Sequence, residues 1–329
     1  MKWTTALCLM ILALTAPTAN AAGLELKKGD HVCIIGNTLA ERMQHFGWLE
    51  TLVHSRYPQY ELVFRNLGYS EKESDAIIKY AVGAASFNGA PFINHQTLSE
   101  REQRVIGFPQ SEQLTLREKI ITQGTIDCCL HARENGVAMN VAGGTHHAFA
   151  DHGEGFCLLN DLAVAANLLL KEKRSERICI IDLDVHQGNG TAALFSHEPR
   201  VFTMSFHGAH NYPFRKERSD LDVPLSDGTD TSTYMRLLES HLEKTLRAHG
   251  TDFAFYLSGV DILETDRFGK LKVTMDGCRQ RDAFVFSTLK RLGIPVVVAM
   301  GGGYSPDVRT VVEAHCQTFR AARDIFDLL

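Results

Sequence analysis

Eight cysteines are scattered along 329 residues without a single C-x-x-C pair, so the chain carries no disulfide framework that spacing could announce. Several lie inside apolar strand or helix patterns, where a cysteine behaves as a small buried hydrophobe. Positive charge is equally sparse: the formal net charge is -5, and no basic stripe is present that would neutralise phosphates. A nucleic-acid role therefore has no electrostatic support. Long hydrophobic runs are missing as well. Beyond an apolar stretch from Ala6 to Ala16, no segment approaches the roughly 18 consecutive apolar residues of a membrane span. Low-complexity tracts are absent too, which removes disorder as the default reading.

What is present is a globular composition, 44% hydrophobic and 22% charged, on a chain long enough for one large α/β domain or two ordinary ones. The first residues, MKWTTALCLMILALTAPTANAAG, have a lysine, a short apolar core and the small residues Ala19-Asn20-Ala21. Residues 1 to 21 read as a signal peptide. Its removal takes Cys8 and leaves a mature chain without a membrane span. An exported location follows from the leader, whereas the cysteine usage suits a reducing compartment, so localisation stays open between periplasmic or secreted and cytoplasmic.

After the leader, HVCIIGNT, a helical stretch from Leu39 to Ser55, and ELVFRNLG form one βαβ unit over residues 23–70. Residues 71–97 are small and glycine-containing and read as a linker or junction. From 98 to 329 strands and helices alternate regularly. GVAMNVAGG, RICIIDLDV, RVFTMSF, DFAFYLSGV and IPVVVAMGGG are near-continuous apolar strands, interleaved with helices over Leu162 to Lys171, Tyr234 to His249 and Cys278 to Leu292. Such strands belong to a parallel sheet covered on both faces, an α/β fold.

Each strand runs into polar or glycine-rich residues: GGTHH, DLDVHQGNG, SFHGAH, SGVDILETD and GGGYS. Ligands bind at that edge of an open α/β sheet. Side chains two apart on a strand share a face, so Asp182, Asp184 and His186 project together. Two buried carboxylates beside a histidine call for a metal ion or a charge network. The plainer reading has both aspartates capping backbone amides in the turn and His186 as a satisfied core histidine. His146, His147, Asp261 and Tyr304 sit in the other loops, and their coincidence at one edge favours a mononuclear zinc site of two carboxylates and one imidazole. Such a site acidifies water less than a three-histidine site, so a protein base is needed, and His146 and His147 are the candidates.

These residues resemble the zinc-dependent histone deacetylases and their bacterial relatives, most closely the class IV branch. The segments that carry the likeness are LSEREQRVIGFP, AGGTHHAFADHGEGFCLLND, IIDLDVHQGNGTA, SDLDVPLSDGT, SGVDILETDRFGKL and MGGGYS, covering about Leu98 to Phe326. The resemblance implies the arginase/deacetylase fold, a mostly parallel sheet flanked by helices. It implies hydrolysis of an N-acyl amide on an acyl-lysine peptide or a small acylated amine.

By the same resemblance Asp184, His186 and Asp261 are the zinc ligands. Asp182 holds His146 and, with Asp184, His186, Ser205 and Phe206, a monovalent cation such as K+. His147, paired with the neutral Asn189, is the general base, and His146 its electrostatic partner. Tyr304 donates to the oxyanion, Gly155 offers a carbonyl to the substrate N–H, and Phe156 lines the acyl-lysine channel. Gly188 stands where arginase needs a further aspartate for its second metal, which implies one zinc.

The opening segment of class IV enzymes has no recognisable counterpart before LSEREQRVIGFP. Residues 23–70 instead resemble the start of an SGNH-type hydrolase, with Gly36-Asn37-Thr38 where the nucleophilic serine belongs. The expectation is a deacetylase domain truncated at its N-terminal sheet edge, joined to a foreign fragment. Two other readings stay open: an inactive module that binds acyl-lysine, and a phosphatase using the DLD carboxylates.

Overall fold

A computed structural model describes residues 98–326 in full, together with three short strand segments earlier in the chain, β1 (Leu7–Cys8), β2 (His31–Cys33) and β3 (Val63–Arg65). β1 pairs in parallel with β2, and β2 with β3. The helix expected over Leu39 to Ser55, the linker at 71–97 and the rest of the leader lie outside the described residues.

Downstream, six strands form one fully parallel sheet in the order β4-β9-β8-β5-β6-β7. They are β4 (Val137–Asn140), β5 (Ile178–Asp182), β6 (Val201–Gly208), β7 (Leu221–Leu225), β8 (Phe253–Leu257) and β9 (Val296–Ala299). The pleat sorts their apolar side chains onto two faces. Cys179 and Ile181 of β5 join one core, with Tyr256, Val298 and the helices α5 (Thr231–His249), α6 (Met275–Leu292) and α7 (Val308–Phe326). Ile178 and Ile180 face the other, with Phe255, Val297 and the helices α2 (Glu112–Asn135) and α3 (Asp161–Lys171). Two short helices, α1 (Glu100–Ile106) and α4 (Asn189–Phe195), flank the sheet's carboxyl edge.

Helix boundaries follow ordinary capping chemistry. Asn160 caps α3, Asp230 caps α5 and Thr274 caps α6, each accepting an amide from the first turn. α5 and α6 therefore begin three residues earlier than apolar periodicity predicts, because polar first turns carry no hydrophobic signal. On α5, Tyr234, Leu238, Leu242 and Leu246 recur every fourth residue and are fully buried, each contributing roughly 1.5–3 kcal/mol of transfer free energy. β7 is half polar and interrupted by Pro224, which is tolerated because this strand is an edge of the sheet.

The chain order explains where the loops gather. From β5 it moves outward to β6 and β7, then returns to place β8 on the other side of β5. The crevice between β5 and β8 is the switch point, the usual ligand position in such sheets. Asp182 at the end of β5 is in register with Leu257 at the end of β8 and with Ser205 of β6.

Arg281 of α6, fully buried, braces this edge. Its guanidinium donates to the carbonyls of Gly259 (2.6 Å) and Ser258 (3.2 Å), and pairs with Asp282 at 2.9 Å. Asp282 also accepts from Thr318 of α7 at 2.7 Å and from the Tyr256 hydroxyl. Among the described residues no helix is long and apolar enough to cross a membrane.

Candidate active site

Asp184, His186 and Asp261 converge as the strand-end argument requires. Each offers a ligand atom, and these atoms lie within 4.8 Å of one another. His186 Nδ1 is 3.0 Å from Asp184 Oδ1 and 3.2 Å from Asp261 Oδ2. The other carboxylate oxygens are spoken for. Gly302 N donates to Asp184 Oδ2 at 2.8 Å, and Val185 N to Asp261 Oδ1 at 2.9 Å. Both earlier readings of D-x-D-x-H are thus partly true: the carboxylates do cap loop amides, and they also cluster. Asp261 Oδ2, fully buried, has the His186 ring 3.2 Å away but no partner in hydrogen-bond geometry among the described residues, which is an expensive state unless a cation takes it up. Two carboxylate oxygens and one ring nitrogen, on hard and borderline donors, suit Zn2+.

The electrostatics are consistent with a cation-seeking cluster. Burial, then the neighbouring charge of Asp184, raise the Asp261 carboxyl to about 7. Burial works to lower His186, but the adjacent carboxylates of Asp184 and Asp261 outweigh it and lift the ring to about 10. The two carboxylates draw positive charge into the site. Gly302 allows Asp261 this close approach, since a Cβ there would stand 2.1 Å from Asp261 Oδ2.

The tandem histidines are placed by a polar frame under the loop 141–147. Asp161, buried at the start of α3, accepts from Thr145 N (2.9 Å), Thr145 Oγ1 (2.7 Å) and Thr125 Oγ1 (2.6 Å). His146 Nδ1 is 2.8 Å from Asp182 Oδ2, and His147 Nδ1 is 2.7 Å from Asn189 Oδ1. Asp182 therefore faces a histidine and the Asp184 amide (3.2 Å), and does not serve as a free nucleophile of the phosphatase kind. Burial opposes charge on both rings. Asp182 overcomes it for His146, which is raised; nothing comparable helps His147, which is held well below the ordinary histidine value, with positive His146 and His186 nearby adding to the effect.

Tyr304 follows the glycines into the same cavity and packs against Phe268 with ring centroids 5.1 Å apart. Burial, followed by the negative charges of Asp261 and Asp184, pushes its hydroxyl upward, so it stays a donor. Its amide donates to Asp266 Oδ2 at 2.6 Å. The cavity, about 540 Å3, is also lined by Gly155, Phe156, Tyr212 and Arg117. Phe156 is half exposed at the mouth. Ser205 and Phe206 lie on β6 beside Asp182, with Ser205 Oγ 3.0 Å from His207 Nδ1.

The model of the family described as "Histone deacetylase domain" matches residues 71–319. The chain belongs to the histone deacetylase family. Its fold is accordingly the arginase/deacetylase fold expected from the motifs, here with a parallel six-stranded sheet. Relatives include an uncharacterised protein of Picosynechococcus, 45% identical over 230 residues (70% of this chain, 77% of that protein). Histone deacetylase 2 of Arabidopsis thaliana is 36% identical over 192 residues, 57% of this chain and 50% of its own length. Histone deacetylase RPD3 of Saccharomyces cerevisiae is 35% identical over 191 residues, 55% of this chain and 42% of its own. The chain thus spans half or less of the length of these two histone deacetylases.

Four contributors escaped the sequence reading. Asp161 and Asp266 are structural partners whose targets lie 16 and 38 residues away. Arg117 and Glu154 come from segments without periodic polar signals. The charged loop 214–220 is mostly exposed, yet it is tied to the site: Gln187, next to His186, donates to Glu217 O at 2.7 Å and to Asp222, just beyond the loop, at 2.7 Å. The nearby Lys216 donates to Asn211 O at 2.6 Å and to Pro213 O at 2.5 Å.

Proposed function

We propose that this chain is a zinc-dependent amidohydrolase that removes acetyl or longer acyl groups from lysine side chains or related amines. Family membership supports deacetylase chemistry in general, and the residues of this chain supply the finer reading. The observation that carries it is the meeting of Asp184, His186 and Asp261 around one point, beside a buried imidazole kept neutral.

Asp184, His186 and Asp261 would hold the ion. When bound, zinc supplies Lewis acidity, polarising the acyl carbonyl and making water a better nucleophile at neutral pH. His147, uncharged, takes the proton of the attacking water and later returns it to the leaving amine. His146, raised by Asp182, stays cationic and offsets negative charge as it develops. Tyr304 donates its hydroxyl to the oxyanion of the tetrahedral state, where a preorganised donor is worth most. Phe156, Tyr212 and Phe268 give the entry an apolar lining suited to a lysine stem, with the Gly155 carbonyl available to the substrate N–H. Asp182, Asp184, His186, Ser205 and Phe206 form the proposed monovalent-cation position.

Turnover of an acetyl-lysine peptide by the full chain, beside Tyr304→Phe and Asp261→Asn, tests this. Release of acetate by the unmodified chain, abolished in Asp261→Asn, is expected. Stoichiometric zinc with no turnover of any acylated amine would replace the enzyme reading with that of a binding module.

A further inference from the structure

A side-chain amide has nearly the same shape whichever way it is turned, so the Oδ1 of Asn189 faces His147 only because something beyond Asn189 demands it. That partner is Glu154. Asn189 Nδ2 donates to Glu154 Oε1, an atom that can only accept while the carboxyl is ionised. With Nδ2 committed, Oδ1 must point at His147 Nδ1, 2.7 Å away. The ring then carries its proton on Nδ1 and leaves Nε2 with a free lone pair. Were the amide reversed, Nδ2 would donate to Nδ1, the proton would sit on Nε2, and no base would face the cavity.

Glu154 is delivered to this position by a tight turn. Gly155 (φ 56°) and Phe156 (φ 66°) are both left-handed, and Cys157 N closes the turn on Glu154 O at 2.9 Å, a pattern of the I′ type. Gly155 is required twice over, because a Cβ there would also stand 2.7 Å from His147 Cδ2. The turn is pinned to the end of α1, whose last carbonyls, Val105 O and Ile106 O, accept from Gly155 N (3.3 Å) and Phe156 N (2.7 Å). The Glu154 carboxyl also neighbours Tyr212, whose hydroxyl its charge pushes upward after burial, and whose ring meets His147 edge-on, with centroids 4.9 Å apart and planes at 89°.

We propose that Glu154 is a positioning residue: acting through the amide of Asn189, it selects the Nδ1–H tautomer of His147 and so exposes Nε2 to substrate. The consequence for turnover rests on the reading of His147 as general base; the tautomer itself does not. Where an aspartate accompanies a catalytic imidazole, the acceptor is unambiguous by itself. An asparagine needs a second acceptor behind it, and Glu154 is that acceptor.

Nitrogen NMR of the isotope-labelled full chain, with the His147 signals identified through His147→Gln, reads the tautomer directly. The unmodified chain is expected to carry the proton on Nδ1; finding it on Nε2 would overturn the proposal without any further variant. Glu154→Gln, nearly isosteric, can present either end to Asn189, so a mixture of tautomers is expected. On an acetyl-lysine peptide kcat should fall about tenfold with KM within about twofold. In an Asn189→Asp background, where the acceptor no longer depends on Glu154, the same substitution should cost less than about twofold. An unchanged His147 tautomer in Glu154→Gln, or equal losses in both backgrounds, would refute the role. A changed tautomer with unaltered kcat would instead overturn His147 as the base, while leaving the positioning by Glu154 intact.

Discussion

His146 and His147 lie with ring centroids 4.1 Å apart, yet their surroundings drive them to opposite charge states. Asp182 stands behind the first and an amide behind the second. One ring is thereby left neutral, able to take up a proton, and the other is favoured as a cation, able to offset nearby negative charge.

The first expectation concerns the oxyanion donor. Tyr304→Phe removes only a hydroxyl from a ring that keeps its packing on Phe268. Deacylation of an acetyl-lysine peptide should lose about 100- to 1,000-fold in kcat, the usual effect of deleting one such donor, while zinc content stays the same. Steady-state kinetics with metal analysis check both halves.

A second concerns Gly188, where a Cβ would stand 2.3 Å from Asp182 Oδ2 and 3.2 Å from His146 Nδ1. Gly188→Ala is expected to force the His146–Asp182 pair apart, costing about 1–3 kcal/mol of stability and at least about tenfold in kcat. Thermal unfolding and turnover measure these together. Lost stability with full turnover would separate the pair from the reaction.

The third concerns pH, through a group outside the Asp184–His186–Asp261 cluster. Burial lifts Glu118 to about 7 in the folded chain, against 4.5 for the free side chain, despite Arg117 at 3.0 Å. Between these values the folded state keeps a proton that the unfolded state has released. Stability from this group is therefore fully present below about pH 4.5 and is lost as pH rises towards about 7, by on the order of 3 kcal/mol. Glu118→Gln should flatten that part of the stability curve. Denaturant melts at pH 5 and pH 7, on both proteins, decide it.

The sequence made the sheet legible because buried parallel strands are long apolar runs, and it exposed the chemistry because D-x-D-x-H, G-G-T-H-H and G-G-G-Y are local. It hid the supports. Glu154 reaches Asn189 across 35 residues and Asp161 reaches Thr145 across 16, through contacts that leave no periodic trace. β7 escaped because an edge strand half exposed to water has neither an apolar run nor clean alternation. Helix starts slipped by a turn where caps and polar first turns replace hydrophobic pattern. The signal peptide (residues 1–21) and the SGNH-like fragment (residues 23–70) fall outside the fully described part.

The central claim is that Asp184, His186 and Asp261 grip one divalent ion. X-ray absorption on the zinc-loaded full chain tests it most directly, together with zinc stoichiometry in Asp261→Asn. One zinc per chain is expected, surrounded by nitrogen and oxygen at about 2.0–2.2 Å, with affinity falling more than about 100-fold in the variant. Sulfur neighbours at about 2.3 Å, or zinc retained undiminished by Asp261→Asn, would contradict it.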